Sequence, residues 1–140
     1  MKLGSFNIFS SKRKDYGTLL CLDTREWNDG YSSVNKGLAR SIINGVTYVL
    51  EDYEAVIVLE DDMVVSPFFL NYMNQSLAMY KNDESVISVH GYSYPVKEQL
   101  PETFFLKGAD CWGWGTWKSC WELFDHNGQD LQDKIKRFLP

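Results

Sequence analysis

The sequence has few cysteines and no long apolar run, and both features limit the kind of protein it encodes. Its three cysteines, Cys21, Cys111 and Cys120, fit no metal-ligand spacing, and any disulfide would leave one thiol over. Free thiols in a reducing cytoplasm are the simplest explanation. No apolar run reaches the roughly 20 residues that span a bilayer, and residues 1–17 contain too short an apolar segment for a secretory signal. We therefore expect a cytoplasmic protein without a transmembrane segment, which leaves peripheral contact with a membrane open.

The sequence also lacks an excess of basic residues, internal repeats and low-complexity linkers. Its net charge is −5, which argues against a nucleic-acid partner held by a basic patch. The chain has 140 residues, of which 44% are hydrophobic, and this is enough for one domain with a buried core. Five tryptophans are many for this length, and tryptophan is a common surface for stacking sugars.

The middle of the chain alternates between helical and strand patterns. Apolar residues recur with a 3.6-residue period over 38–53, which predicts an amphipathic helix packed on a sheet. The apolar run 55–59 predicts a strand that is buried on both faces. Ser66-Pro67 favours a helix start, and the apolar spacing carries this helix over 67–81. A strand is predicted at 86–90, so the order helix, strand, helix, strand predicts parallel neighbouring strands in an α/β sheet.

Shorter patterns predict the remaining elements. Short strands are expected at 3–9, 18–22 and 103–106. A helix is expected to start near Gly115 or Thr116, because aromatic residues then recur at helical spacing: Trp117, Trp121 and Phe124. The first two of these aromatic residues are assigned to the core.

Three carboxylates follow the central predicted strand directly: Glu60, Asp61 and Asp62. Ligands of open α/β sheets bind at the carboxyl ends of strands, so this position favours a binding site. Adjacent carboxylates repel one another, and a hard divalent cation that prefers oxygen ligands, such as Mg²⁺ or Mn²⁺, removes that cost. Because Mg²⁺ takes one or two protein carboxylates and fills its other positions with water and phosphate oxygens, the motif indicates a metal–diphosphate site. The alternative is a solvated acidic turn after a strand.

Glycines alternate with tryptophans in the stretch 107–117, KGADCWGWGTW. Glycine lets the backbone and the rings approach a ligand closely, so Trp112 and Trp114 are candidates for an aromatic floor under a sugar. Equally, both rings can belong to the core. Asp110 can contact a sugar or act as a base, whereas a single loop aspartate is often a solvated group or a cap. His90 ends a predicted strand and is interpreted as a polar strand-end group rather than a metal ligand.

Three stretches occur in a distinctive order and spacing: NKGLA at 35–39, VLEDD at 58–62 followed by SPFF at 66–69, and CWGWGTW at 111–117. Together they resemble the GT-A glycosyltransferases. The nearest resemblance is to the N-acetylglucosaminyltransferase I-like branch and to related bacterial family 2-like sugar transferases, and it covers about residues 34–125. It implies that residues 1–140 form a single, partial GT-A (Rossmann-like) α/β domain, a layered sheet with flanking helices.

The resemblance also implies a function. The donor would be a nucleotide sugar, of the UDP-sugar type, with Mn²⁺ or Mg²⁺ on its diphosphate, and the acceptor a hydroxyl of a glycan or another molecule, as in polysaccharide biosynthesis. By carry-over, Asp62 is the metal ligand, and Glu60 and Asp61 hold donor hydroxyls or metal-bound water. Asp110 is the candidate catalytic base. The other residues implied on the donor side are Asn35, Gly37, Trp112 and Trp114.

The sequence departs from the family pattern at both ends. An inverting transferase needs a carboxylate base for the acceptor hydroxyl, and the family places it after the Gly/Trp stretch, where this chain has no acidic pair. The strands that bind the nucleoside would have to come from residues 1–34. We therefore expect the chain on its own to be a poor or inactive catalyst. Two alternatives stay open: a non-catalytic remnant that binds a sugar or a partner, and a metal-dependent phosphohydrolase, in which Glu60 would stand in the place of an aspartate nucleophile.

Overall fold

The computed structural model describes residues 6–11, 19–23, 37–60 and 63–138. These residues form five strands and four helices, in the order β1 (Phe6–Ser11), β2 (Leu19–Asp23), α1 (Leu38–Asp52), β3 (Ala55–Glu60), α2 (Phe69–Met79), β4 (Val89–His90), β5 (Trp114–Trp117), α3 (Lys118–Trp121) and α4 (Gly128–Phe138). The strands make one sheet with the order β2-β1-β3-β5-β4. A small sheet with helices around it agrees with the predicted partial α/β domain. Among the described helices, none combines the length and the apolar character needed to cross a bilayer.

Strand β3 lies at the centre of the sheet, but its neighbours differ from those that the chain order predicts. Every neighbouring pair in the sheet is antiparallel. Both β3 and β4 pair with β5, so they run in the same direction with β5 between them. The prediction of parallel neighbouring strands is therefore wrong. The reason is local: the residues near Gly115 and Thr116, where the aromatic spacing predicts the start of a helix, belong to strand β5, and the helix α3 begins only at Lys118.

The prediction that β3 is buried on both faces is confirmed. Ile57 and Leu59 join a core cluster with α2, whereas Val56 and Val58 join a second cluster with α1. Successive side chains of a strand point to opposite faces, so α1 and α2 cover opposite faces of the sheet. Each buried aliphatic side chain contributes roughly 1.5–3 kcal/mol by leaving water. This packing fixes the direction in which β3 leaves the sheet.

Both flanking helices follow the predicted periodicity: α1 begins at Leu38, as predicted, whereas α2 begins at Phe69, two residues later than predicted. Helix α1 begins after Gly37, whose φ is +76°, and its buried face includes Val46 and Val49. Before α2, the Ser66 hydroxyl accepts the Phe68 N–H at 3.2 Å, and the Ser66 carbonyl accepts the Phe69 N–H at 3.0 Å. The Ser66-Pro67 pair therefore forms the turn that leads into α2 rather than the first helical residues.

Strand β5 explains the alternation of glycine and tryptophan, which follows the two-residue period of a strand. A Cβ on Gly115 would lie 3.0 Å from the Val56 carbonyl oxygen and 3.2 Å from the Met73 methyl carbon. Only a residue without a side chain lets α2 come this close to the sheet. Trp117 is buried on the same face and donates from Nε1 to the Leu77 carbonyl at 3.1 Å, so its assignment to the core is confirmed.

The strand predicted at 103–106 does not form, and β4 covers only the end of the strand predicted at 86–90. Residues 91–113 run from β4 to β5 without a helix or strand. Phe105 and Leu106 lie on the surface, where the Phe105 ring makes an edge contact with Tyr80 at 5.5 Å between centroids.

Candidate functional site

Two open cavities of about 250 and about 310 Å³ lie side by side where β3 leaves the sheet. Their walls have four residues in common: Met63, Val64, Tyr92 and Trp112. The larger cavity is also lined by Glu60, and the smaller one continues over the start of α2. The site is therefore an apolar and aromatic surface with a carboxylate at one side, which is the usual composition of a small-ligand pocket.

The register of the sheet brings these walls together. Trp114 on β5 pairs with both β3 and β4. If the same register is continued two residues beyond Trp114, to Trp112, this residue lies opposite Glu60 on the β3 side and opposite Tyr92 on the β4 side. The carboxyl ends of β3 and β4 thus meet the amino end of β5. This edge is where the acidic triplet begins.

The glycines beside the site make room for a helix rather than for a ligand. A Cβ on Gly91 would overlap the Phe69 ring of α2, and a Cβ on Gly113 would lie 3.1 Å from the same ring. Gly113 also has a φ of +67°, which side chains rarely tolerate. The expectation that these glycines let a ligand approach is therefore wrong for Gly113 and Gly115. Their function is to seat α2, whose first residue, Phe69, closes the floor of the smaller cavity.

Three aromatic rings form a cluster at the mouth of the cavities, which we call the aromatic cluster: Tyr92, Tyr94 and Trp112. The centroids of Tyr92 and Trp112 are 4.9 Å apart, those of Tyr92 and Tyr94 5.1 Å, and those of Tyr94 and Trp112 5.9 Å. Trp112 is 39% exposed, so part of its indole faces solvent in the cavity. Edge-to-face pairs of this kind stabilise by about 0.5–1.5 kcal/mol each beyond area burial.

Asp110 joins the aromatic cluster through its carboxylate. Oδ1 accepts the Trp112 backbone N–H at 2.9 Å, and the Tyr94 hydroxyl lies near the same carboxylate. The Trp112 N–H favours the charged form and holds the pKa of Asp110 below its ordinary value, with smaller contributions from Tyr94 and His90 in the same direction. In turn, the Asp110 carboxylate raises the pKa of Tyr94. Asp110 is thus a fixed anion beside the cavities.

His90 lies beneath this group at the end of β4. One ring nitrogen, Nε2, is 2.8 Å from the Ser88 hydroxyl, and the His90 carbonyl accepts the Tyr72 hydroxyl at 3.2 Å. Nδ1 is buried and has no hydrogen-bond partner among the described residues. Burial lowers the pKa of His90, while the charge of Asp110 acts in the opposite direction. The interpretation of His90 as a polar strand-end group fits this position.

The two tryptophans suggested for a sugar floor lie in different places. Trp112 lines both cavities, whereas the Trp114 ring packs against the cluster on the α1 side and stacks on Trp121 with centroids 6.1 Å apart. Trp121 is half-buried there and donates from Nε1 to the Thr47 hydroxyl at 2.9 Å, so it packs at the edge of the core rather than inside it. Gly37 precedes α1 and lines neither cavity.

The acidic triplet is described only in its first member. Glu60 is half-buried at the end of β3 and lines the larger cavity. Asp61, Asp62 and also Asn35 lie outside the described residues. Within the part of the chain that the structure describes, no group of three His, Cys, Asp or Glu side chains is placed to hold a metal ion. The metal site at Asp62 therefore stays a prediction.

Sequence reasoning did not find the two tyrosines of the aromatic cluster or the apolar wall at Met63 and Val64. Tyr92 and Tyr94 follow β4 in the chain, and Tyr92 shares a cavity wall with Glu60 only because β3 and β4 both pair with β5. The signal that could have placed them is the two-residue period of Trp112–Trp117, which identifies β5 and the strand end that it shares.

Comparison with known proteins gives a match to a family model. Residues 30–117, more than half of the chain, match the model of the GNT-I family. The matched segment contains the acidic triplet, every residue that lines the two cavities, and the strands that position them. No curated protein and no solved structure matches the chain.

Proposed function

The chain belongs to the GNT-I family of N-acetylglucosaminyltransferase I-like glycosyltransferases, and from this premise we propose that it binds a UDP-sugar and transfers the sugar to a hydroxyl of a glycan acceptor. One observation carries the proposal. The cavity at the end of β3 joins Glu60, the first of three consecutive carboxylates, to the exposed face of Trp112. A sugar nucleotide needs both kinds of group. Its hydroxyls and the metal on its diphosphate bind to carboxylate oxygens, whereas one face of its pyranose ring is apolar and packs on an aromatic ring.

The three carboxylates bind different parts of the donor complex. Asp62 holds Mn²⁺ or Mg²⁺, and Glu60 and Asp61 accept hydrogen bonds from donor hydroxyls or metal-bound water. The donor set fits a hard cation, because all three residues offer only oxygen and Glu60 stands at the cavity wall. When bound, the metal neutralises the charge that develops on the leaving nucleoside diphosphate.

The other donor-side residues follow from position. Trp112 supports the sugar from below, and by the family resemblance Asn35 and Gly37, which precede α1 in the sequence, contact the donor. We leave Trp114 out of the proposed contacts, because its ring packs on the α1 side of the sheet.

Asp110 as the acceptor base stays a prediction that its surroundings do not favour. A general base works best with a pKa near the operating pH, and the hydrogen bonds to Asp110 lower its pKa instead. For the same reason, a sugar-binding module without turnover is the second candidate function.

Release of UDP from UDP-sugars separates the two functions. The purified chain is incubated with Mn²⁺, a panel of UDP-sugars and glycan acceptors, and free UDP is measured with and without acceptor. Acceptor-dependent release that is lost in Asp110→Asn supports a transferase with Asp110 as its base. Binding of UDP-sugars without release supports the sugar-binding module, and the absence of both binding and release contradicts the proposal.

A further inference from the structure

Asp110 connects two parts of the chain that are distant in sequence. Its Oδ1 accepts the backbone N–H of Trp112 two residues later, and its carboxylate lies near the hydroxyl of Tyr94, whose ring contacts Trp112 at 5.9 Å between centroids. We propose that Asp110 is a positioning residue that holds the aromatic cluster of Tyr92, Tyr94 and Trp112 in the shape that receives a pyranose ring. The inference rests on the proposed function and assigns a substrate-binding surface within it.

The aromatic cluster needs such a connection because its rings stand on irregular backbone. Residues 91–113 contain no helix or strand, and the three rings remain between 38% and 58% exposed. Ordering exposed side chains on a loop costs conformational entropy. Two interactions from one carboxylate offset part of that cost at both ends of the segment, so the rings present one arrangement to a ligand.

A pyranose ring is the occupant that suits these walls. One face of a pyranose carries C–H groups that can pack on an indole, and its edge carries hydroxyls that need acceptors. The cavity offers the exposed part of Trp112 together with the Glu60 carboxylate, and Met63 and Val64 complete the apolar side. The site has no described basic residue in its walls, so a bare phosphate has no cationic partner there.

The geometry separates positioning from proton transfer. Asparagine can keep the acceptor oxygen that holds the Trp112 N–H, because Asn makes the same turn as Asp, but it cannot take a proton. Alanine removes both interactions. Asp125 offers a matched control: its Oδ1 accepts the Asn127 N–H at 2.9 Å in the same kind of turn, and it lines neither cavity.

The test is a titration of the ¹⁵N-labelled chain with N-acetylglucosamine, glucose and galactose, followed at the Trp112 indole N–H signal. Trp112→Phe assigns that signal. We expect at least one sugar to shift it in the parent, in Asp110→Asn and in Asp125→Ala with similar affinity. Asp110→Ala should bind that sugar at least about fivefold more weakly, which is the effect of losing one aromatic contact.

Three results would overturn the proposal. They are no shift of the Trp112 signal by any sugar, equal binding by Asp110→Ala and the parent, or a shift caused by uridine and by no sugar. If Asp110→Ala does not fold, Tyr94→Phe replaces it, since it removes the hydroxyl and keeps the ring, and unchanged binding by that variant would count against the proposal. A parallel titration with UDP and Mn²⁺ tests the proposed function separately. If UDP does not bind, the proposed function fails, and the sugar shifts at Trp112 still decide whether Asp110 positions the aromatic cluster.

Discussion

At the scale of single residues, Asp110 and His90 are close neighbours with opposite preferences for charge. The Trp112 N–H stabilises the Asp110 carboxylate, whereas burial destabilises the His90 imidazolium. At neutral pH this arrangement places one negative charge beside the aromatic cluster. Acidification acts on the two residues in different pH ranges, and each range gives a prediction.

Lowering the pH should disturb the aromatic cluster only in strong acid. The pKa of Asp110 is lowered in the folded chain, so its contribution to stability is present above the unfolded value of about 3.9 and is lost as pH falls through the lower folded value. The Trp112 indole signal, followed by NMR from pH 7 to pH 2, should therefore stay constant down to about pH 4. Asp110→Asn should remove this acid transition at Trp112. A transition centred above pH 4.5 in the parent would contradict the interpretation.

His90 should make the fold less stable in mild acid. Its pKa lies below 6.5 in the folded state because of burial, so the unfolded chain takes up the proton first as pH falls. The stability that depends on neutral His90 is present above pH 6.5 and is lost between 6.5 and the lowered folded pKa. His90→Gln should reduce the difference between urea midpoints measured at pH 7.5 and 5.5. The matched control is His126→Gln at an exposed histidine, and an equal effect of both variants would show that burial of His90 is not the cause.

At the scale of secondary-structure elements, the contact between α2 and β5 depends on the absence of a side chain. Gly115→Ala would place a Cβ 3.0 Å from the Val56 carbonyl oxygen, and backbone cannot yield as a flexible side chain can. We expect a loss of about 1–3 kcal/mol in the free energy of unfolding, measured by urea denaturation.

Gly128→Ala is the control for that substitution. Gly128 is the first residue of α4, and a Cβ there meets no atom within 4 Å. Alanine should leave stability unchanged or raise it by up to about 1 kcal/mol, because it restricts the unfolded chain. Similar losses in both variants would mean that the close packing at Gly115 does not limit stability.

The elements that the sequence predicts well are those whose burial is encoded locally. The apolar spacing of α1 fits only a helix, and the apolar run of β3 fits a buried strand. Both elements are found. Strand β5 and the segment 103–106 carry mixed patterns. Trp114 and Gly115 fit a strand, whereas Trp117 and Trp121 fit a helix by spacing, and the structure contains both, with β5 ending at Trp117 and α3 beginning at Lys118. Pairing with β3 and β4 extends the strand to Trp117.

At the scale of the whole molecule, the assembly of the site could not be predicted, because it depends on which strands pair with one another. The position of Glu60 at the end of a buried strand follows from local sequence, whereas local sequence leaves Trp112 equally open between the core and a ligand surface. Their meeting with Tyr92 and Tyr94 does not follow from local sequence, because it requires β5 to lie between β3 and β4. A strand inserted out of chain order leaves no mark in the sequence before or after it.

The central proposal is that the acidic triplet after β3 binds a nucleoside diphosphate through a divalent metal. Asp62→Asn removes the proposed metal ligand and keeps the size of the side chain. Asp52→Asn is the matched control, because Asp52 is an exposed acid at the other end of β3, where α1 ends.

The most direct measurement is isothermal titration calorimetry of UDP into the parent and both variants, each with and without Mn²⁺. The account predicts Mn²⁺-dependent binding in the parent and in Asp52→Asn, and affinity at least about tenfold weaker in Asp62→Asn, with unchanged far-UV circular dichroism. Equal, Mn²⁺-independent binding in all three proteins would contradict it, as would the absence of UDP binding by the folded parent.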